Sequence, residues 1–221
     1  MIVNNVVTGC IAIFIGYLLG SIPFAYIFTR LTSGKDVRKV SGGNVGARNT
    51  FRNIGKTVGI ATALFDIAKG AAAVFMASRL NNFPILSDFS LVTCFILAAG
   101  LAAVAGHIWP VFLGFRGGNG LATTLGVLFF VMPWEILIAL GVTVILWVFM
   151  RNIILSFNLS LFSLPISGWL LDQSWVYVVY PLIIVVLMLL HFGPVIIVEI
   201  QHSGSIQALF TDLFRRKRKT D

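Results

Sequence analysis

Charge is what this chain has least of. Only 11% of its 221 residues are Asp, Glu, Lys or Arg, and the acids number just 8. A soluble domain carries about 25% charged residues, so a water-soluble globular fold is excluded. Cysteine is nearly absent too. Cys10 and Cys94 both fall in apolar segments, where they are expected to pack against neighbours rather than form a disulfide or a metal pair. There is no HExxH, no cysteine cluster and no GxSxG, so neither a metalloenzyme nor a serine hydrolase is indicated. No nucleic-acid motif is present. The opening MIVNNVVTGC lacks the positive region and small-residue cleavage site of a signal peptide, so the first apolar segment is expected to stay as a helix. No internal repeat supports a transporter built from two related halves.

Hydrophobic blocks are what the chain has instead. They make up 58% of the residues, with a mean hydropathy of +0.96, and a spanning helix needs about 20 apolar residues. Candidate spans run over 6–28, 58–77, 89–112, 153–171 and 175–198. The block 121–150 is too long for one straight span and is interrupted at Pro133-Trp134-Glu135, so it reads as two short helices. That gives an all-α polytopic membrane protein of about seven helices. With seven spans, 14 of the 16 Lys and Arg share one face, while Asp88, Glu135 and Asp172 lie on the other. The positive-inside rule then places the N-terminus outside and the C-terminus in the cytoplasm. Residues 1–214 are read as one membrane domain and 215–221 as a basic cytoplasmic tail. Its RRKRK run serves as a topology signal or a lipid-headgroup anchor.

One stretch breaks the apolar pattern early. Gly34 to Lys56 holds Lys35, Arg38, Lys39, Arg48, Arg52 and Lys56 against the single acid Asp36, with five glycines, three of them near Asn44. Glycines let several backbone N–H groups converge on one anion, and nearby cations add attraction. A second turn, GFRGGNG at 114–120, falls on the same face and carries Arg116. Together the two loops can cradle a phosphate, with Arg48, Arg52 and Arg116 as candidate cations. Read singly, each turn is equally explained by close helix packing.

Asp66 and Lys69 stand three residues apart inside the second span and share a helix face. Ionisable groups at that depth are costly and commonly functional. They read as support for the loops, or alternatively as the relay of a small anion carrier. His107 precedes the second glycine turn and is placed to line the site. His191 reads as a core residue. His202 follows the last span, where it can orient or deprotonate a hydroxyl.

These residues resemble the bacterial acyl-phosphate-dependent glycerol-3-phosphate acyltransferases. GYLLGSIPFAYIFTRL resembles that family's first span, and DVRKVSGGNVGARNTFRNIGK its first cytoplasmic loop. LFDIAKG resembles its second span, and GHIWPVFLGFRGGNGLATTLGV its second loop and following helix. The resemblance implies a seven-span enzyme of the bacterial inner (cytoplasmic) membrane. It would transfer an acyl chain from acyl phosphate to the sn-1 hydroxyl of glycerol 3-phosphate, releasing lysophosphatidic acid and phosphate in phospholipid synthesis. Membrane lipid surrounds the reaction, and no metal or other cofactor is implied.

By the same resemblance, His202, Arg52 and Ser41 are the catalytic candidates. Gly43, Asn44, Gly46, Asn49, Gly117, Gly118, Asn119, Gly120 and Ser205 bind substrate, and Asp66, Lys69 and His107 support them. Four positions depart from the pattern. Gly42 stands where the family has serine, Asn119 where it has lysine, and Ser203 and Ser205 where it has arginine and asparagine. Each lost charge-assisted contact to a phosphate removes about 1.5–3 kcal/mol. A second reading therefore stands beside the first: a non-catalytic or altered-specificity relative that binds anionic lipid precursors.

Overall fold

The computed structural model describes residues 2–40, 43–81, 90–172 and 174–203, with side chains described at all of these except 2–4, 154 and 192–203. Every regular element among them is helical. Four stretches, Asn5–Ser33, Lys56–Leu80, Leu91–Leu113 and Pro133–Met150, are long and apolar enough to cross a membrane. The chain divides into two compact units, 1–136 and 137–221.

The first unit contains α1 (Ile2–Ser21), α2 (Phe24–Ser33), α3 (Ala47–Asn53), α4 (Lys56–Leu80), α5 (Leu91–Ile108) and α6 (Leu121–Val131). Between membrane helices the lipid tails are as apolar as leucine, so close packing of small residues replaces the hydrophobic drive. α1 packs mainly on α5, and α4 on α6. Both interfaces are paved with glycine. A Cβ at Gly20 would collide with the carbonyl of Ala103, and one at Gly126 with that of Ile67. Ala99, Ala103 and Val104 of α5 are fully buried in this packing.

The expected single span over 6–28 is broken at Ile22-Pro23, ending α1 and starting α2. Proline has no N–H to donate and disfavours helical geometry in the residue before it. The block after 121 divides as expected: α6 ends at Val131 and α7 (Pro133–Met150) begins two residues later, across the boundary of the two units. Glu135, which the charge argument put on the side opposite the basic loops, is buried in the first turn of α7, 2% exposed.

The second unit continues with α8 (Ile153–Ser160), α9 (Ser163–Asp172) and α10 (Trp175–Ser203). The expected span 153–171 is thus two helices. Pro165 cannot accept a continuous helix through Leu161, because its ring clashes with the carbonyl four residues back. The Ser163 hydroxyl instead donates to the Ser160 carbonyl at 2.7 Å across the break. The Thr143 hydroxyl donates to Ser160 Oγ at 2.7 Å, tying α7 to α8. α9 packs on α10, with the rings of Trp169 and Trp175 5.0 Å apart. α10 runs past the expected end at 198. Cys10, expected to pack, is an exposed free thiol on α1.

The glycine contacts carry a direct test. Gly20→Val should destabilise the protein by about 1–3 kcal/mol, as overpacking does. Gly141, exposed in α7, has open space where a Cβ would go. Gly141→Ala should stabilise by up to about 1 kcal/mol through helix propensity. Thermal denaturation in detergent micelles separates the two signs.

Candidate functional site

The first glycine loop is held by apolar anchors that its polar composition conceals. Val37 and Val45 are 0% and 4% exposed, packed with Ala25 of α2 and Leu113. Asp36 caps the short 3-10 turn over Val37–Lys39, accepting from the Arg38 backbone N–H at 3.0 Å. Its carboxylate also pairs with the Arg38 guanidinium at 2.8 Å. That hydrogen-bonded pairing lowers the Asp36 pKa to about 2. Arg38 also lies 5.3 Å from the centre of the Tyr26 ring, so it is committed to structure. Gly43, at φ 72°, supplies the left-handed geometry that brings the chain back past the Arg38 carbonyl.

The second loop folds back onto the end of α5. Backbone N–H groups of Gly117 and Gly118 donate to the carbonyls of Ile108 and His107, both at 3.1 Å. Neither glycine has room for a side chain: a Cβ on Gly118 would strike the His107 imidazole and the Val45 carbonyl. Gly120, at φ 77°, starts α6. The Tyr17 hydroxyl donates to the Trp109 carbonyl at 2.8 Å, fixing α1 against this turn.

The two loops meet. Val45 N–H donates to the Gly117 carbonyl at 3.4 Å, and Asn44 Nδ2 donates to Asn119 Oδ1 at 2.6 Å. Asn49, only 8% exposed, donates to the carbonyls of Asn44 and Val40 at 2.9 and 3.0 Å. Its own Oδ1 accepts from Asn53 at 2.8 Å. Gly46 caps the seven-residue α3, on which Arg48 and Arg52 lie one turn apart. No acid pairs with either arginine among the described residues, and both are exposed. Partial desolvation, then the like charge of Arg52, lowers the pKa of Arg48. Arg116 is exposed beside the second turn.

Beneath the loops lies a small, partly open cleft of only about 10 Å³, lined by Ser21, Ile22, Asp66, Lys69, His107 and Gly117 among others. Asp66 and Lys69 are 2% and 5% exposed, and their charged atoms are 2.9 Å apart. Lys69 also donates to the Ile22 carbonyl at 2.9 Å. That carbonyl sits at the break made by Pro23. His107 Nδ1 lies 3.5 Å from Asp66 Oδ1. Both of those atoms, and Ser21 Oγ, are buried without a well-aligned hydrogen bond among the described residues. At Asp66 Oδ1 the contacts with Lys69 and His107 are therefore charge proximity rather than well-aligned bonds.

The structure thus brings together Gly43, Asn44, Gly46, Asn49, Gly117, Gly118, Asn119 and Gly120, with Asp66, Lys69 and His107 directly below. Arg52 stands on the helix leaving the first loop. Ser41, Gly42 and Ser205 lie outside the described residues. His202 falls within the backbone of α10 rather than after the last span, and its side chain is not among those described. Ser21, Asn53 and the Ile22 carbonyl were not anticipated. The only sequence signal for the last was the proline at position 23.

An all-helical membrane-type scaffold carrying two joined, basic, glycine-rich loops defines a class of anion-handling membrane protein. Comparison with known proteins makes this specific. The family model for glycerol-3-phosphate acyltransferase matches residues 10–212. The glycerol-3-phosphate acyltransferase of Endomicrobium trichonymphae is 40% identical over 177 residues, covering 80% of this chain and 84% of that protein. Glycerol-3-phosphate acyltransferase 1 of Dehalococcoides mccartyi is 40% identical over 163 residues, covering 72% and 74%. The crystal structure of PlsY (YgiH), an integral membrane glycerol 3-phosphate acyltransferase, in its glycerol 3-phosphate form, superposes with a TM-score of 0.75 at 31% identity. It covers 89% of this chain and 92% of that one. The lysophosphatidic acid form gives 0.72 at 29%. The chain belongs to the glycerol-3-phosphate acyltransferase family.

The buried pair is open to a stability test. Lys69→Met leaves Asp66 as an unpaired buried charge, which should cost about 3–5 kcal/mol. Replacing both, as Asp66→Asn with Lys69→Met, should recover much of that loss in micelle thermal melts. A single variant as stable as the parent would show that the pair bears no load.

Proposed function

We propose that the two joined glycine loops are the site at which this chain transfers an acyl group from acyl phosphate to the sn-1 hydroxyl of glycerol 3-phosphate, forming lysophosphatidic acid. The observation that carries this reading is the meeting of the loops through Asn44–Asn119 and Val45–Gly117, beside two arginines that have no acidic partner among the described residues. Acyl phosphate is a mixed anhydride. The hydroxyl oxygen forms the new ester bond to the acyl carbon, the carbon–oxygen bond to phosphate breaks, and the hydroxyl proton leaves with the phosphate. The protein's part is to hold two phosphates and a hydroxyl in register and to stabilise the charge moving onto the leaving group.

In this reading Arg52 and Arg48 supply charge-assisted hydrogen bonds to phosphate. The glycine turns let the substrate approach the backbone closely. Ser41, His202 and Ser205 complete the site on the strength of the family resemblance. Asp66, Lys69 and His107 brace the loops from below. Residues 1–214 act as one domain with seven spans in a bacterial inner membrane, N-terminus outside and the loops and basic tail in the cytoplasm. The buried ionisable cluster sits under the loops, which favours support over a transmembrane relay.

Reconstituted protein given palmitoyl phosphate should release phosphate only when glycerol 3-phosphate is present. Arg52→Ala should lower kcat/KM for glycerol 3-phosphate about ten- to a hundredfold, the equivalent of one charge-assisted contact of about 1.5–3 kcal/mol. No release above background, with glycerol 3-phosphate still bound, would favour the non-catalytic reading instead.

A further inference from the structure

We propose that Asn119 and Asn44 are not substrate ligands but positioning residues, the first members of a neutral amide chain that sets where Arg48 and Arg52 stand. This rests on the site reading above and deepens it. The chain begins on the second loop, where Asn119 Oδ1 accepts from Asn44 Nδ2 at 2.6 Å. The Asn44 backbone carbonyl accepts from Asn49 Nδ2 at 2.9 Å. The Asn49 carboxamide oxygen accepts from Asn53 Nδ2 at 2.8 Å, and Asn53 Nδ2 also reaches the Asn49 backbone carbonyl at 3.1 Å. Four asparagines thus run from the second loop, through the first, to the last residue of α3. Arg48 and Arg52 lie on that same short helix.

Seven residues are too few for a helix to hold its direction by its own hydrogen bonds. Its start is free of any side-chain cap, because Gly46 occupies that position. Its orientation is therefore set by tertiary contacts, which are its packing on α4 and the hydrogen bonds of the buried Asn49 side chain. That side chain spends its amide on three carbonyls of the first loop, those of Val37, Val40 and Asn44, at 2.9–3.5 Å. Among the described residues, the side-chain bond that carries this arrangement across to the second loop is Asn44–Asn119. A cation at position 119 would contribute charge to an anion directly. An amide already bonded to Asn44 contributes geometry, and leaves the charge to the arginines.

The test is a pair of thermodynamic cycles on the full-length reconstituted enzyme, reading KM for glycerol 3-phosphate and kcat separately. Asn119→Ala and Asn44→Ala should each raise KM about three- to tenfold, the effect of one neutral hydrogen bond, with little change in kcat. The double variant should be no worse than either single. In an Arg48→Ala/Arg52→Ala background, Asn119→Ala should then change KM by less than about twofold, because both groups it positions are gone. A merely structural role would lower yield and melting temperature without this split between KM and kcat.

Full additivity of Asn119→Ala with the Arg48→Ala/Arg52→Ala double variant would overturn the inference and make Asn119 an independent ligand. So would an unchanged KM in the asparagine variants. An Arg52→Ala enzyme with unaltered KM and kcat would instead sink the site reading itself, whatever the asparagines do. If Asn119→Ala cannot be purified folded, Asn44→Ala enters the arginine cycle in its place. Asn119→Leu, which keeps similar bulk but removes the oxygen that the Asn44 amide needs, takes its turn if both alanines fail.

Discussion

An ion pair buried in an apolar helix bundle is the constraint on which this site depends. Asp66 and Lys69 are both nearly inaccessible, and two charges taken out of water are repaid only where geometry and further partners are good. Here the further partner is specific. Lys69 reaches the carbonyl of Ile22 at 2.9 Å, at the point where Pro23 stops α1 and the chain turns into α2. A break in a membrane helix leaves backbone groups that hydrocarbon cannot satisfy. The lysine answers that need, the aspartate neutralises the lysine, and His107 abuts the aspartate from α5. Three helices are thereby fixed at one level, and the second glycine turn rests on top of the same histidine.

The loops above this level follow a different logic. Their polar, glycine-rich sequence has little to bury, so they are pinned by two valines set into a small apolar cluster and by hydrogen bonds from asparagine side chains. The positive charges divide into two kinds. Arg38 is spent on Asp36 and Tyr26. Arg48 and Arg52 face no acid among the described residues and lie one helical turn apart on α3.

Much of this was legible in the chain. The membrane class follows from 11% charged residues. The break near Pro133, the pairing of Asp66 with Lys69 and the convergence of the two glycine turns all followed from residue chemistry and spacing. Pro23 and Pro165 carried equally plain signals for broken helices, but a continuous apolar run was read as a continuous span. Hydropathy measures what a helix can enter, not whether it is one piece. The burial of Glu135 in the first turn of α7 had no signal in the sequence, since a charge beside a proline does not say which way the helix turns it. The contact of Asn44 with Asn119 was beyond reach, since 75 residues separate two side chains whose pairing only the tertiary fold decides.

The replacement of a lysine-type position by Asn119 takes on a different meaning in this setting. Losing a cation from a phosphate site ordinarily weakens it by about 1.5–3 kcal/mol. That loss is an upper bound only if nothing else about the remaining cations changes. Two like charges one helical turn apart destabilise a helix by a few tenths of a kcal/mol when nothing lies between them. A phosphate placed there turns that repulsion into two attractions. A site whose arginines are already crowded is thus preorganised for an anion, because binding relieves a cost the empty site carries. A neutral amide at position 119 keeps a third charge out of that arrangement while bonding the two loops together. On the proposed site, rigidity stands at position 119 where the family pattern has charge, and the arginines of α3 would carry the electrostatic part of recognition.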